Sequence, residues 1–315
     1  MEDFDIDLVY LWCDGNDAAF AQQKRECMLL CGGHPEGALD CRFVQIDELK
    51  YSLRSVNMYM PWIRRIFIVT NNQTPKWLKQ HEKITIVDHS EILPDTARPC
   101  FNSEAIECCL HKIPNLAEHF IYANDDCFVG RKISPSFFFD KKKRSIVRMT
   151  KTKSKPLNTL HWKNMLASQK AIFQRYGVSY EGYIPHHNMD AYTKTMLQEC
   201  EQEFSDFMRH TIHQPFRSEG SLQRLLFHLH GFVQKQAVLK NVNKTFIQKV
   251  LKRLRIARWD SLFISNQDDL GIVNACHPAL FCLNDGECST DEDRVRAVRF
   301  LEKKFPQKSP FEKDA

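Results

Sequence analysis

Four short apolar runs mark the first half of the chain: Ile6 to Trp12, Ile66 to Val69, Ile84 to Val87 and Phe120 to Ala123. Each is rich in β-branched or aromatic residues and closes on a polar turn, the pattern of a buried strand. Helical spacing lies between them. After Asp47, the residues Leu49, Leu53, Val56 and Met60 recur at i, i+4, i+7 and i+11 and share one face. After Asn102-Ser103, either of which could serve as N-cap, Ile106, Leu110 and Ile113 follow a similar period. Strands alternating with helices predict an α/β fold with a mostly parallel, doubly wound sheet. From about Lys151 the patterns turn helical and strand signals become scarce. Tyr192, Met196, Cys200 and Phe204 form one stripe; Leu222, Leu225, Leu226 and Leu229 form another. The basic stretch Lys141 to Arg144 and the polar segment Lys151 to Pro156 read as a joint. The expected division is therefore a Rossmann-like half over 1–150 and a mainly helical half over 151–315.

Composition narrows the class. A chain of 315 residues, 26% charged and 43% hydrophobic, is ordinary for a globular protein with a real core. No apolar run approaches a bilayer span. The acidic start, Met1 to Asp5, lacks the basic and apolar regions of a secretory signal, so the expected compartment is the cytosol. A net charge of +5 suits polyanionic ligands and is too weak to indicate nucleic acid. The 12 cysteines contain no C-x-x-C pair and read mostly as small, reduced core residues.

Chemistry-bearing residues gather at the predicted strand ends. The first strand runs into Asp14-Gly15-Asn16-Asp17, the third into Asp88-His89, and the fourth into Asn124-Asp125-Asp126. Ligands of open α/β sheets bind outside the carboxyl ends of the strands, so these groups converge on one edge. Adjacent carboxylates there suit a hard cation bridging phosphate oxygens, although Asp and Asn are also common turn formers. Lys50 and Arg54 lie one turn apart on the helix after Asp47; they could hold a pyrophosphate, or could form a solvated basic face. In His186-His187 an imidazole could take a proton from an attacking hydroxyl. Arg217, in the turn-like His213 to Ser218, is the side-chain type that steadies a phosphoryl group gaining charge. Phe246 to Trp259 is a basic amphipathic segment. It could meet anionic lipid at a membrane or a capsule-assembly partner, or pack into the core with its charges solvated.

These residues resemble the Stealth proteins, nucleotide-sugar-dependent sugar-phosphate transferases. The family includes bacterial capsule polymerases and the animal lysosomal-enzyme N-acetylglucosamine-1-phosphotransferase. Four blocks carry the resemblance. The first looks like Ile6 to Asp17. The second runs from Asp47-Glu48-Leu49-Lys50-Tyr51-Ser52-Leu53-Arg54-Ser55 through Pro61-Trp62-Ile63-Arg64, Phe101-Asn102-Ser103 and His111-Lys112-Ile113-Pro114 to Asn124-Asp125-Asp126. The third covers Ile184-Pro185-His186-His187 through Phe216-Arg217-Ser218-Glu219. The fourth looks like Phe281-Cys282-Leu283-Asn284-Asp285 with Phe305-Pro306 and Ser309 to Glu312. Cys13 stands where valine is more usual. The third-block histidine aligns as His186 or as His187. Asn284-Asp285 is followed by Gly286-Glu287, where the family often has another acidic residue.

The resemblance implies a Rossmann-like sheet of glycosyltransferase type with an added helical subdomain, the fourth block (about 280–312) returning to the sheet edge. It implies transfer of hexose 1-phosphate from a nucleotide sugar, UDP-linked by analogy, to a carbohydrate hydroxyl, forming a phosphodiester in capsule or surface polysaccharide. Asp14 and Gly15 would lie under the nucleoside. Glu48, Lys50, Arg54, Asn102, Asn284 and Asp285 would neighbour the donor phosphates. Asp125 and Asp126 would hold magnesium or manganese. His186 or His187 would activate the acceptor, and Arg217 would steady the phosphoryl group. The partners implied are the nucleotide-sugar donor and a glycan acceptor, at the cytoplasmic face of the membrane if the basic segment docks there. A metal-dependent glycosyltransferase releasing nucleoside diphosphate is the nearest rival. A non-catalytic nucleotide-sugar or glycan binder is the rival from another class.

Overall fold

The computed structural model describes residues 4–32, 36–151, 158–180, 182–242 and 259–314. The four apolar runs form strands β1 (Ile6–Leu11), β2 (Ile66–Thr70), β3 (Ile84–Asp88) and β4 (His119–Asn124). They lie parallel in the order β3-β2-β1-β4. Along β1 the side chains alternate. Val9 and Leu11 enter one core with Phe67, Val69, Phe120 and Tyr122, and Leu8 and Tyr10 enter the opposite core with Ile66 and Ile68. Both faces of β1, β2 and β4 are covered, which is why they read as unbroken apolar runs; β3, at the sheet edge, is half-buried.

Helix α1 (Ala18–Leu30) follows β1, and α2 (Glu48–Tyr59) precedes β2. The predicted face of α2 is the buried one, with Leu49, Leu53 and Val56 at most 2% exposed. The same helix ties down the chain after β4. Ser52 Oγ donates to the Cys127 carbonyl at 2.5 Å, and Ser55 Oγ accepts from Val129 N at 2.9 Å, anchoring β5 (Cys127–Val129). Asn102 is the observed N-cap of a short helix, Ser103–Glu107, accepting from Glu104 N at 3.0 Å. The predicted period does not continue as one helix. A separate 3₁₀ turn holds Leu110–Lys112.

The second half is less helical than its pattern suggests, and this corrects the sequence reading. Besides the helices Leu160–Tyr176, Lys194–Glu203, Ser205–Ile212 and Leu225–Val233 it holds several strands. In chain order the strands after β5 are β6 (Ser145–Lys151), β7 (Tyr183–Pro185), β8 (Asp190–Thr193), β9 (Ala237–Asn241), β10 (Ser261–Ser265) and β11 (Leu280–Asn284). Tyr192, read as the start of a helical stripe, lies in β8, which adds antiparallel to β4 as the fifth strand of the main sheet. β7-β6-β9 and β10-β11-β5 form two smaller sheets. These strands are short and mix Asp, Thr, Lys and Ser with apolar residues. Pairing with distant partners stabilises them where local pattern does not. β11 runs antiparallel to β5, which sets the fourth Stealth-like block beside the end of β4. The basic amphipathic segment lies, apart from Trp259, outside the described residues.

Among the described residues no helix is long and apolar enough to cross a membrane. All 12 cysteines are free thiols.

Candidate active site

A cavity of about 240 Å³ opens at the carboxyl edge of the parallel strands. Asn124, Asp125 and Asp126 enter it from the end of β4, Glu48 from the first turn of α2, and Asn284 and Asp285 from the end of β11. His187 and Arg217 face them from the second half of the chain. Six aromatic or apolar side chains, Trp12, Phe20, Phe43, Val69, Phe101 and Leu283, complete much of the wall.

The carboxylates are held in a costly state. Gln45 Nε2 donates to Asp125 Oδ2 at 2.7 Å, and Ile46 N donates to Glu48 Oε2 at 2.9 Å. These two bonds do not offset the loss of water. Burial, and then repulsion from Asp126, raises Asp125 to about 7. Burial, and then the charge of Asp125, drives Glu48 well above the ordinary carboxylate range. Burial also raises Asp126. Burial thus holds three carboxyls of one cavity toward their protonated forms, and a bound cation would favour their charged forms. Asp125 and Asp126, following β4, present oxygen donors of the kind a hard divalent cation takes.

The lining also carries positive charge. Arg42 and Arg217 both line the cavity; burial, and then the neighbouring charge of Arg217, lowers the Arg42 guanidinium. Two arginines that repel one another while sharing a cavity suit a diphosphate. Arg217 donates to Ser103 Oγ. Its backbone lies so near Gly37 that a Cβ there would come within 2.6 Å of the Arg217 N and O atoms. Only glycine at 37 permits that approach. At Gly15 a Cβ would meet the Phe43 carbonyl oxygen at 2.3 Å, so glycine also lets the first loop close on the 42–45 segment.

His187 lines the same cavity, its ring edge-on to Phe263 with centroids 5.4 Å apart. Burial, and then the positive charges of Arg224, His161 and Arg217, lowers it to about 3, so the ring is neutral in the free chain. A buried network supports this region. Arg224 pairs with Asp190 at 2.8 Å, Tyr192 donates to Glu107 at 2.8 Å, and Tyr122 donates to Asn124 at 2.9 Å.

Of the residues singled out from sequence, Glu48, Asp125, Asp126, His187, Arg217, Asn284 and Asp285 come together around the cavity. Asp285 is steadied by Arg294 at 2.9 Å. The others stand apart. His186 Nε2 meets Thr150 Oγ1 at 2.7 Å and its Nδ1 meets Ser261 Oγ, away from the cavity lining. Lys50 pairs with Asp47 at 2.6 Å. Arg54 forms a two-pronged pair with Glu312, at 2.8 and 2.6 Å, and donates to the Phe305 carbonyl, joining α2 to the chain's C-terminal turn. Asp14 caps its own loop by accepting from Asn16 N at 2.9 Å, next to the cavity-lining Cys13. Asn102 is fully buried and donates to the carbonyls of Gln214 and Phe216 at 3.1 and 3.4 Å. It holds the turn that presents Arg217, and Phe101 stacks on Phe216 beside it.

Arg42, Gln45 and the Arg224 network carry no signal in local spacing, because each gains its meaning from a partner far along the chain.

Residues 42–147 match Stealth protein CR2, conserved region 2 of that family. The chain is 36% identical to the exopolysaccharide phosphotransferase CpsY of Mycobacterium leprae over 99% of its own length and 58% of that protein's. It is 32% identical to exopolysaccharide phosphotransferase SCO6023 of Streptomyces coelicolor, over 98% of this chain and 53% of that one. It is 37% identical to the capsular polysaccharide phosphotransferase LcbA of Aeromonas hydrophila, over 71% of this chain and 64% of that one. The chain thus spans between half and two thirds of the length of these relatives. Among solved structures, the galactosyltransferase LgtC overlaps it with a TM-score of 0.45 at 10% identity, covering 96% of each chain, too loose an overlap to inform activity.

Proposed function

Taking as premise that the chain belongs to the Stealth family, we propose that it transfers a sugar phosphate from a nucleotide-sugar donor to a carbohydrate hydroxyl. One observation carries this reading: a single cavity sets Asp125, Asp126 and Glu48 against Arg42, Arg217 and the neutral His187. A nucleotide sugar has parts that match these walls. Its diphosphate suits the two arginines, and its base suits the aromatic stretch of Trp12, Phe43 and Phe101.

In this reading His187 accepts the proton of the acceptor hydroxyl as the oxygen attacks the phosphorus that bears the sugar. The new bond joins the acceptor oxygen to that phosphorus. The bond that breaks joins the same phosphorus to the bridging oxygen, so nucleoside monophosphate leaves. Arg217 and Arg42 stabilise charge on the phosphoryl oxygens and the leaving group. A divalent cation held at Asp125 and Asp126, magnesium or manganese, would supply charge neutralisation for the diphosphate. Asn102 and Gly37 act through Arg217 by fixing its backbone.

Incubation with a panel of nucleotide sugars, a glycan acceptor and magnesium or manganese tests this, with phosphorus NMR of the products. A phosphodiester with released monophosphate is the expected result. Release of nucleoside diphosphate would overturn it in favour of an ordinary glycosyltransferase. Donor binding without turnover across the panel would favour a binding protein.

A further inference from the structure

β5 and β11 pair antiparallel in a register that sets Cys127 directly opposite Cys282. Both side chains are fully buried, and both thiols point at one carboxylate. Cys127 Sγ donates to Asp126 Oδ1 at 3.4 Å, and Cys282 Sγ donates to Asp126 Oδ2 at 3.2 Å. His187 arrives from the turn after β7. One donor atom each from Asp126, His187 and Cys282 lies within 4.8 Å of the other two. Three elements remote in sequence thus deliver a carboxylate, an imidazole and a thiol to one point, with Asp126 and His187 also lining the cavity.

That donor set differs from what magnesium selects. Hard cations take oxygen ligands, whereas sulfur with imidazole favours zinc and its borderline-soft neighbours. Tetrahedral zinc, with bonds of about 2.3 Å to sulfur and about 2.1 Å to oxygen, separates those two ligand atoms by about 3.6 Å. The 3.2 Å thiol–carboxylate contact is already near that separation. Asp126 and His187 also line the cavity, from which an exchangeable fourth ligand could enter.

We infer that Asp126, His187 and Cys282, with the Cys127 thiol alongside, form a site for a thiophilic divalent cation of the zinc class, and that filling it shuts off transfer. The second half of this statement rests on the proposed function, because it is the loss of His187 and Asp126 to the cation that stops the reaction. On binding, the Cys282 S–H bond breaks, its proton goes to solvent, and a sulfur–metal bond forms with no change of oxidation state.

The test uses the full chain, stripped with a chelator, kept reduced by a phosphine, and titrated with cobalt(II) alone. The expected result is a sulfur-to-cobalt charge-transfer band that saturates at one equivalent, with one proton released per cobalt. The band is lost in both Cys282→Ser and Cys282→Ala, and cobalt raises the melting temperature of the parent but not of either variant. In the transfer assay with excess magnesium, zinc inhibits the parent at a concentration at least tenfold below that needed for Cys282→Ser. Absence of the band in the parent, or its survival in both Cys282 variants, overturns the site. A band with no zinc inhibition overturns the switch. The cobalt spectrum reads the site whether or not the chain transfers sugar phosphate, so failure here is distinct from failure of the proposed activity.

Discussion

Replacing Asp125 with Asn should stabilise the protein at alkaline pH and do little at acid pH. In the folded chain the Asp125 carboxyl is raised from 3.8 to about 7, first by burial and then by Asp126. Between those two pH values the folded state holds a proton that the unfolded state has released. Stability therefore falls as pH rises through this window, and the cost is fully present above about 7. At about 1.4 kcal/mol per pH unit the full displacement corresponds to roughly 4 kcal/mol. Part of it is repulsion shared with Asp126, which relaxes with its neighbour, so an effect on the order of 2–4 kcal/mol is expected. Asn has the same shape and can still accept from Gln45, leaving the packing unchanged. For 315 residues an unfolding entropy of about 2 cal/mol/K per residue turns that into a rise in Tm of roughly 3–6 °C. Thermal melts of both chains without divalent ions, from pH 4 to pH 8.5, provide the assay. The difference should grow steadily with pH and level off above about 7. Adding magnesium at pH 8.5 should stabilise the parent more than the variant. A difference that is flat with pH, or a variant less stable at pH 8.5, would refute the view of Asp125 as a carboxyl charged at a cost.

Other perturbations separate cavity from scaffold. His187→Ala and Arg217→Ala should each lower kcat by about a hundredfold or more while melting normally. His186→Ala should leave the rate near that of the parent, since its ring is engaged by Thr150 and Ser261 outside the cavity; equal losses for the two histidines would contradict that placement. Arg54→Ala strands the buried Glu312 carboxylate, so a stability loss of about 3–5 kcal/mol is expected in denaturant melts with the donor KM unchanged. Asn102→Ala should cost about 1–2 kcal/mol through the lost cap and lower kcat by displacing Arg217, an effect that Asn102→Asp, which keeps the cap, should share in kcat more than in stability. In NMR of the free chain the His187 ring should stay neutral from pH 8 down to about 5, because burial lowers it to about 3.

Much of the frame is legible in local pattern. The unbroken apolar runs of β1, β2 and β4 read as strands covered on both faces, and the spacing of Leu49, Leu53 and Val56 already named the buried side of α2. The polar ends of those strands placed the candidate chemistry at one edge, and the resemblance to the Stealth blocks identified the family. Legibility ends where meaning depends on a partner distant in sequence. Arg54 has the basic character of a phosphate ligand, yet Glu312, far along the chain, engages it. Asn102 reads like a ligand and serves as the clamp for the Arg217 turn.

What the chain determines by itself, then, is the order of buried strands and the helix faces that cover them, because these follow from hydrophobic periodicity over a few residues. Which of His186 and His187 enters the cavity, the pairing of Cys127 with Cys282, and the meeting of Arg42 with Arg217 were decided only by the tertiary fold. Burial and charge coupling arise from contacts between segments tens to hundreds of residues apart, and no local window of sequence contains both sides of such a contact.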